Sequence, residues 1–464
     1  MPAPAPNSSS SSATASPSSQ PIDPSVNRRH PAPQPVTLPP PVLPNTDVLS
    51  PPTVSPPRRA ALLFVFITVL LDILAIGIII PVLPHLVERF AGGVAQAALW
   101  VGAFGTAFAL AQFVFSPLQG ALSDRFGRRP VILLSNAGLA LDFVLMALVN
   151  TLPLLFLGRV LAGITSASLS TANAYIADVT PADKRAASFG MLGAAFGVGF
   201  IVGPALGGLL GAIDLRLPFW VAAGLAAANF CYGFFILPES LPPERRSAFA
   251  WKRANPLGSL RLLRRYPQVF GLVGVTVLSQ LAHYALPTVF VLYAGHRYGW
   301  QEQSVGYVLA LVGICNVLVQ AVLVRRLVPR IGERLALLIG LSCGAAGFAL
   351  QGLAPDGRWF LSAIPLMALW GLAGPSLQTL MTRQVDPQQQ GQLQGAVTSA
   401  VSLTGVFGPA LFSQLFASMI ALGASALIGA PFLLAALLLL LATVLAQRIT
   451  QPRTALTSAE AQVQ

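Results

Sequence analysis

Twelve apolar stretches recur along this chain and leave few folds open to it. They run over residues 60–83, 98–118, 131–150, 154–177, 186–211, 217–237, 268–293, 304–324, 335–354, 359–381, 393–418 and 422–446. About 20 residues of helix cross the ~30 Å of hydrocarbon in a bilayer. In that medium the backbone must satisfy its own hydrogen bonds, which leaves only helices and closed barrels. The stretches lack the alternation of apolar and polar residues that a barrel needs. Hydrophobic residues make up 54% of the chain and charged residues 9%, against about 25% charge in soluble proteins. The expected fold is an all-α polytopic membrane protein with 12 transmembrane helices.

The net charge of +12 would suit a nucleic-acid partner, but its placement points elsewhere. Arg89, Arg216, Arg297 and Arg358 are the basic residues in the loops of one side, against 21 Lys+Arg in the loops and span flanks of the other. Such a bias orients a membrane protein with its basic side in the cytoplasm. Both termini are then cytoplasmic, in a multi-pass protein of the cell (inner) membrane, with the lipid bilayer and no nucleic acid as partner. Cys231, Cys315 and Cys343 all fall within spans and form no CxxC, which argues against a disulfide framework or a zinc site.

Residues 1–59 hold 17 of the 39 prolines and bury too little apolar surface to offset their ordering entropy, so a disordered cytoplasmic tail is expected. It has no apolar core of the signal-peptide kind. An N-terminal six-helix bundle follows over 60–238, then a basic linker over 239–267, a second six-helix bundle over 268–447 and a tail over 448–464. In the linker, Phe249 and Trp251 lie among basic residues, as in a short helix on the bilayer surface; a merely solvated linker fits equally well. An internal repeat supports the division. Gly199–Pro204 has a counterpart in Gly405–Pro409, with the prolines 205 residues apart. Parallel six-helix repeats place a substrate site near the midplane, between the halves.

A polar island, Gly120–Arg129, lies between the second and third spans, and the same offset of 205 residues leads to a weaker echo at Arg330–Arg334. Gly120 would allow close helix approach, and Gly127 a tight turn. Asp124 would sit at a helix N-terminus, where the dipole favours an anion. Arg125, Arg128 and Arg129 supply cations, and Asp178 at the end of the fourth span is a candidate partner for Arg128 or Arg129. Such a cluster can latch one conformation and release in another. In the fifth span Gly199, Gly203, Pro204, Gly207 and Gly208 form a small-residue face, and the proline can kink the helix.

Ionisable groups at depth are the strongest functional signal, since each costs roughly 2.5–3.5 kcal/mol on insertion scales. Asp72 sits in the first span, Asp142 in the third and Arg159 in the fourth. Such carboxylates can carry protons or counter a cationic substrate; a structural ion pair between Arg159 and one of them is the alternative. His283 and Tyr284 in the seventh span can titrate or stack on a substrate. Gln112 and Gln320 can bind substrate or bridge helices. The chain has no GxxxxGK[ST], HExxH or GxSxG, so neither an ATP-driven pump nor an enzyme has support. A receptor on this scaffold would have little need for two acids at depth.

These residues resemble the major facilitator superfamily, and within it the drug–proton antiporters of the bacterial tetracycline-efflux kind. The likeness spans about residues 60–447. It is carried by Leu71-Asp72…Gly77…Pro81–Pro84, Gly120–Pro130, Gly158–Gly163, Ala174–Asp178, the fifth-span glycines and Arg383–Asp386…Gln390–Gly395. The resemblance implies alternating access, with proton influx driving export of a metal–tetracycline cation. It implies that Asp72, Asp142 and Arg159 are the intramembrane charges, that Asp124, Arg128 and Asp178 form the cytoplasmic gate, and that Gln112 and Gln320 line the substrate path. Two positions depart from the pattern: Gly344 stands where an acid is common in the ninth span, and Asn316 where some relatives carry His. Proton coupling would therefore run through Asp72 and Asp142, with His283 a third candidate. The expected function is proton-coupled efflux of amphipathic drugs, tetracycline-like compounds first, by a monomer with no cofactor beyond the proton gradient; a divalent metal would travel with the substrate. A permease or exporter for another small metabolite is the alternative.

Overall fold

The computed structural model describes residues 57–166, 168–180, 184–246, 266–386, 389–424 and 427–451. The disorder expected of residues 1–56 of the N-terminal tail, the surface helix expected around Phe249 and Trp251, and the C-terminal tail beyond residue 451 concern residues outside this set, whereas residues 57–59, placed in the tail from sequence, already belong to the first helix.

The regular elements among the described residues are all helices, with no strand. The first half contains α1 (Pro57–Ile79), α2 (Leu83–Ala91), α3 (Val94–Phe126), α4 (Arg128–Leu148), α5 (Leu152–Thr165), α6 (Ser168–Val179), α7 (Arg185–Ile213) and α8 (Leu217–Ile236). The second half contains α9 (Pro267–His283), α10 (Ala285–Tyr298), α11 (Glu302–Leu318), α12 (Val324–Ile331), α13 (Glu333–Leu353), α14 (Gly357–Ala368), α15 (Ala373–Thr382), α16 (Gln390–Ala421) and α17 (Ala430–Thr450). Among the described residues, eleven helical stretches are long and apolar enough to cross a membrane, and α5 with α6 makes the twelfth. The last span starts later than expected, at Ala430 rather than near residue 422, because the chain turns at Gly423 (φ 62°) before Pro431 restarts the helix.

Spans one, four, seven and ten are interrupted, each the first of three consecutive spans. The first breaks between α1 and α2 at Pro81, the fourth after Thr165, the seventh at Tyr284 and the tenth at a 3-10 turn over Leu369–Leu372. Three of these breaks have a proline beside them: Pro81, Pro287 and Pro375. Proline lacks the N–H that would bind the carbonyl four residues earlier, and interrupted helices are where transporters of this build place their sites. The fourth span has no proline at its break. There Gln119 donates to the carbonyl of Ile164 and Ser135 to that of Thr165, so side chains satisfy the backbone that the helix releases.

The fifth-span glycines act on two faces of α7. A side chain at Gly203 would meet the Gly77 Cα of α1 at 2.8 Å, and one at Gly199 would meet Ile73 at 2.7 Å. Gly207 likewise abuts the carbonyl of Ile78. On the other face, a side chain at Gly208 would meet the Gly306 Cα of α11 at 3.0 Å. Pro204 lies inside α7, which stays helical from Arg185 to Ile213. The carbonyl it frees, Phe200, lies against Gly313 of α11. The second copy of the motif does different work: Gly405 and Gly408 make room for the Tyr284 ring, within 2.7 Å of a side chain at either position.

The halves meet along α7 with α11 and along α3 with α16. Thr106 donates to the carbonyl of Val406 at 3.0 Å, and Gly102 and Gly105 pack on Pro409. His85 of α2 faces Glu302 of α11 at 3.6 Å. These contacts sit at one end and near the middle of the spans. At the other end, which carries the Gly120–Arg129 loop, nothing lies within 4 Å of where side chains at Gly120, Gly190, Gly193 or Gly391 would stand. The close helix approach expected at Gly120 is thus not made in this conformation.

Candidate functional site

The charged loop is built around Gly127, whose φ of 108° and ψ of 161° lie in a region open to little but glycine. This turn ends α3 and starts α4 without a gap. Arg128 donates from Nε to Asp178 Oδ2 (3.1 Å) and from Nη1 to Asp124 Oδ1 (2.6 Å) and Ser123 Oγ (2.8 Å). Ser240 donates to the same Asp178 oxygen at 3.3 Å. Arg129 donates to the carbonyl of Phe234 at 2.6 Å, and Arg125 lies over the Phe126 ring at 5.1 Å.

One expectation about this loop is corrected. Asp124 does not occupy a helix N-terminus; it lies in the last turn of α3, which stays helical to Phe126. The anion at the N-terminus of α4 is Glu239, just past the end of α8. Its carboxylate accepts from the backbone N–H groups of Arg128 (2.8 Å) and Arg129 (3.2 Å). The first N–H groups of a helix have no partner within it, and its dipole favours negative charge there. Glu239 was missed because nothing near it in sequence marks it as a cap for a helix that starts 111 residues earlier.

Deeper in the same half lie two buried carboxylates. Asp142 of α4 is 2% exposed and pairs with Arg159 of α5. Its other oxygen, Oδ1, has no hydrogen-bond partner among the described residues and stands 3.0 Å from where a side chain at Gly158 would be. Asp142 lies about 9 Å along α4 from Leu148, at 1.5 Å per residue. Asp72 of α1, 5% exposed, accepts from the Asn229 amide of α8 at 2.9 Å, and the same nitrogen reaches the carbonyl of Thr68 at 3.1 Å. Asn229 is wholly buried. Its signal was legible: a single amide inside an apolar span needs a partner.

The second half supplies no charge at this depth among the described residues. His283, at the C-terminal end of α9, is exposed, and its ring lies 5.8 Å from that of Trp370 and 6.4 Å from that of Tyr284. Gln320 sits in a π-helical turn over Val319–Leu323. It donates to the carbonyl of Gly371 at 3.2 Å, the group that Pro375 leaves without its helical donor. It therefore bridges two spans. Gln112 is exposed on α3. Asn316 and Gln320 border a cavity of about 240 Å³ between α7 and α11. A side chain at Gly344 would stand 3.0 Å from Trp370 and Leu439, so an acid there would require these neighbours to shift.

A model of the Major Facilitator Superfamily matches residues 65–409. The chain belongs to the Major Facilitator Superfamily. Among its relatives in this superfamily, the class C tetracycline resistance protein of Escherichia coli is 39% identical over 77% of this chain and 90% of its own length. The class D protein of Salmonella ordonez is also 39% identical, over 77% and 90%. The human organic anion transporter MFSD10 superposes with a TM-score of 0.64 at 27% identity, over 85% of this chain and the whole of its own. The D-xylose-proton symporter shares the fold, at TM-score 0.69 and 19% identity over 84% and 97%. The chain is a multi-pass superfamily transporter of small molecules rather than an enzyme.

Proposed function

We propose that this protein exports amphipathic drugs in exchange for protons, with tetracyclines as the first substrates. The observation that carries the reading is the pair of buried carboxylates in one half: Asp142 held by Arg159, and Asp72 held by Asn229. Protonation of Asp142 would cancel its attraction for Arg159 and free that cation to move, which couples proton uptake to a change in side-chain pairing. The tetracycline resistance proteins that align over most of the chain support the choice of cargo. A divalent metal would travel as part of that cargo. Asp72, Asp142 and Arg159 carry the coupling, Gln112, Gln320 and His283 face the substrate path, and the Arg128–Asp178–Glu239 cluster forms the gate. In this assignment the protein works as a monomer in the cell (inner) membrane, with the loop end and both termini in the cytoplasm.

The test is drug accumulation in cells stripped of other efflux pumps. Expression should lower accumulated tetracycline, and collapsing the proton gradient should restore it. If no compound of a drug panel shows gradient-dependent loss, the export reading fails.

A further inference from the structure

The second half contains a cleft that the acids do not explain. It lies between α9, α15 and α16, with a volume of about 90 Å³, enough for several water-sized groups. Gln280 of α9 and Gln378 of α15 both line it, beside Ser279 and Met381. Both amides are partly exposed, and neither has a hydrogen bond to another described residue. Ser279 accepts from the Trp370 indole at 3.0 Å, so its own O–H is left to donate. Gly374 keeps one wall open, since nothing lies within 4 Å of where its side chain would be. No lining residue carries a charge.

The cleft adjoins the place where a charge is missing. Trp370 packs where an acid at position 344 would reach, and its ring lies beside that of His283. The apolar lining beside the two amides is Leu377, Met381 and Val397, and Trp370 reaches the cleft through its hydrogen bond to Ser279. An amide offers two donors and an acceptor, so a pair of them suits an edge that carries both kinds of group. A bare cation gains little from such a site, because nothing in it is negative.

We propose that this cleft is a recognition subsite for the neutral, hydrogen-bonding edge of the substrate, an array of enol, carbonyl or carboxamide groups, read by Gln280 and Gln378 beside the apolar side chains of Leu377, Met381 and Val397. The proposal rests on the export reading for the class of compound, and it assigns specificity to neutral amides in one half and charge handling to the other.

The test measures binding without a gradient, on purified protein in lipid nanodiscs. Tetracycline with magnesium is one probe. Tetraphenylphosphonium, which has no hydrogen-bonding group, is the other. Gln280→Met and Gln378→Met keep side-chain length and remove the amide. Each should raise the tetracycline Kd about fivefold to tenfold, the scale of a lost hydrogen bond, and leave the phosphonium Kd within about twofold. Gln280→Asn and Gln378→Asn, which retain an amide, should fall between wild type and the Met variants. An unchanged tetracycline Kd in both Met variants would overturn the proposal, as would an equal loss of both probes or Asn variants no better than Met. A protein that binds in this pattern but shows no gradient-dependent export would instead defeat the export reading and leave the subsite standing.

Discussion

Arg383 donates to Glu333 across 2.7 Å, and this pair stands where Asp178 and Arg128 stand in the first half. Each member lies 205 residues after its counterpart, and the charges are exchanged. The turn before each pair is the same: Gly332, with φ 80° and ψ 158°, repeats Gly127. The environments differ. The Arg128 side chain is 12% exposed and that of Arg383 is 65% exposed. Exposed pairs contribute about 0–1 kcal/mol, because water and salt screen them.

That difference predicts an asymmetry. Arg383→Gln should leave thermal stability within about 1 kcal/mol of wild type. Arg128→Gln strands Asp124 and Asp178 together and should cost more. Melting curves of the two variants in the same detergent compare them directly, and equal losses would count against the asymmetry.

Gly127→Ala should be severe. Its backbone conformation costs a side-chain-bearing residue about 1–3 kcal/mol, and the added carbon would meet the Glu239 carboxylate, whose Cδ lies at 2.7 Å. Gly120→Ala, at an open position, should leave stability unchanged. Any effect it has on transport would report closure of the loop end, a state in which that glycine acquires a neighbour.

Asp142→Asn leaves the Arg159 guanidinium without its counter-charge. Breaking one side of a buried pair costs about 3–5 kcal/mol. The double variant Asp142→Asn/Arg159→Gln should regain much of that stability yet stay inactive in gradient-driven transport. Recovery of both together would reduce the pair to a structural brace. Asp72→Asn should likewise abolish energised transport while the protein still inserts, and near-normal transport would remove Asp72 from the coupling.

Gly208→Val should weaken the seam between α7 and α11, where overpacking costs about 1–3 kcal/mol. Gly224→Val on α8, with nothing within 4 Å, is the matched control and should behave as wild type. The comparison reads out from detergent melting and from transport in the same preparation.

Much of this protein was legible from its residues alone. Whether a stretch of about 20 residues enters a bilayer depends on its own summed transfer free energy, so the spans, the repeat and the cost of Asp72 and Asp142 at depth needed no knowledge of neighbours. Gly127 was readable for a similar reason, since a backbone conformation is a local property.

The tertiary structure decided who meets whom. Arg159 took Asp142 and left Asp72 to Asn229, 157 residues away. Glu239, and not Asp124, capped α4. Trp370 filled the space beside Gly344, and Gln320 answered the carbonyl that Pro375 left free. A buried polar group must find a partner, but sequence states only the need. Which donor or charge arrives within hydrogen-bond reach is set by how the helices pack.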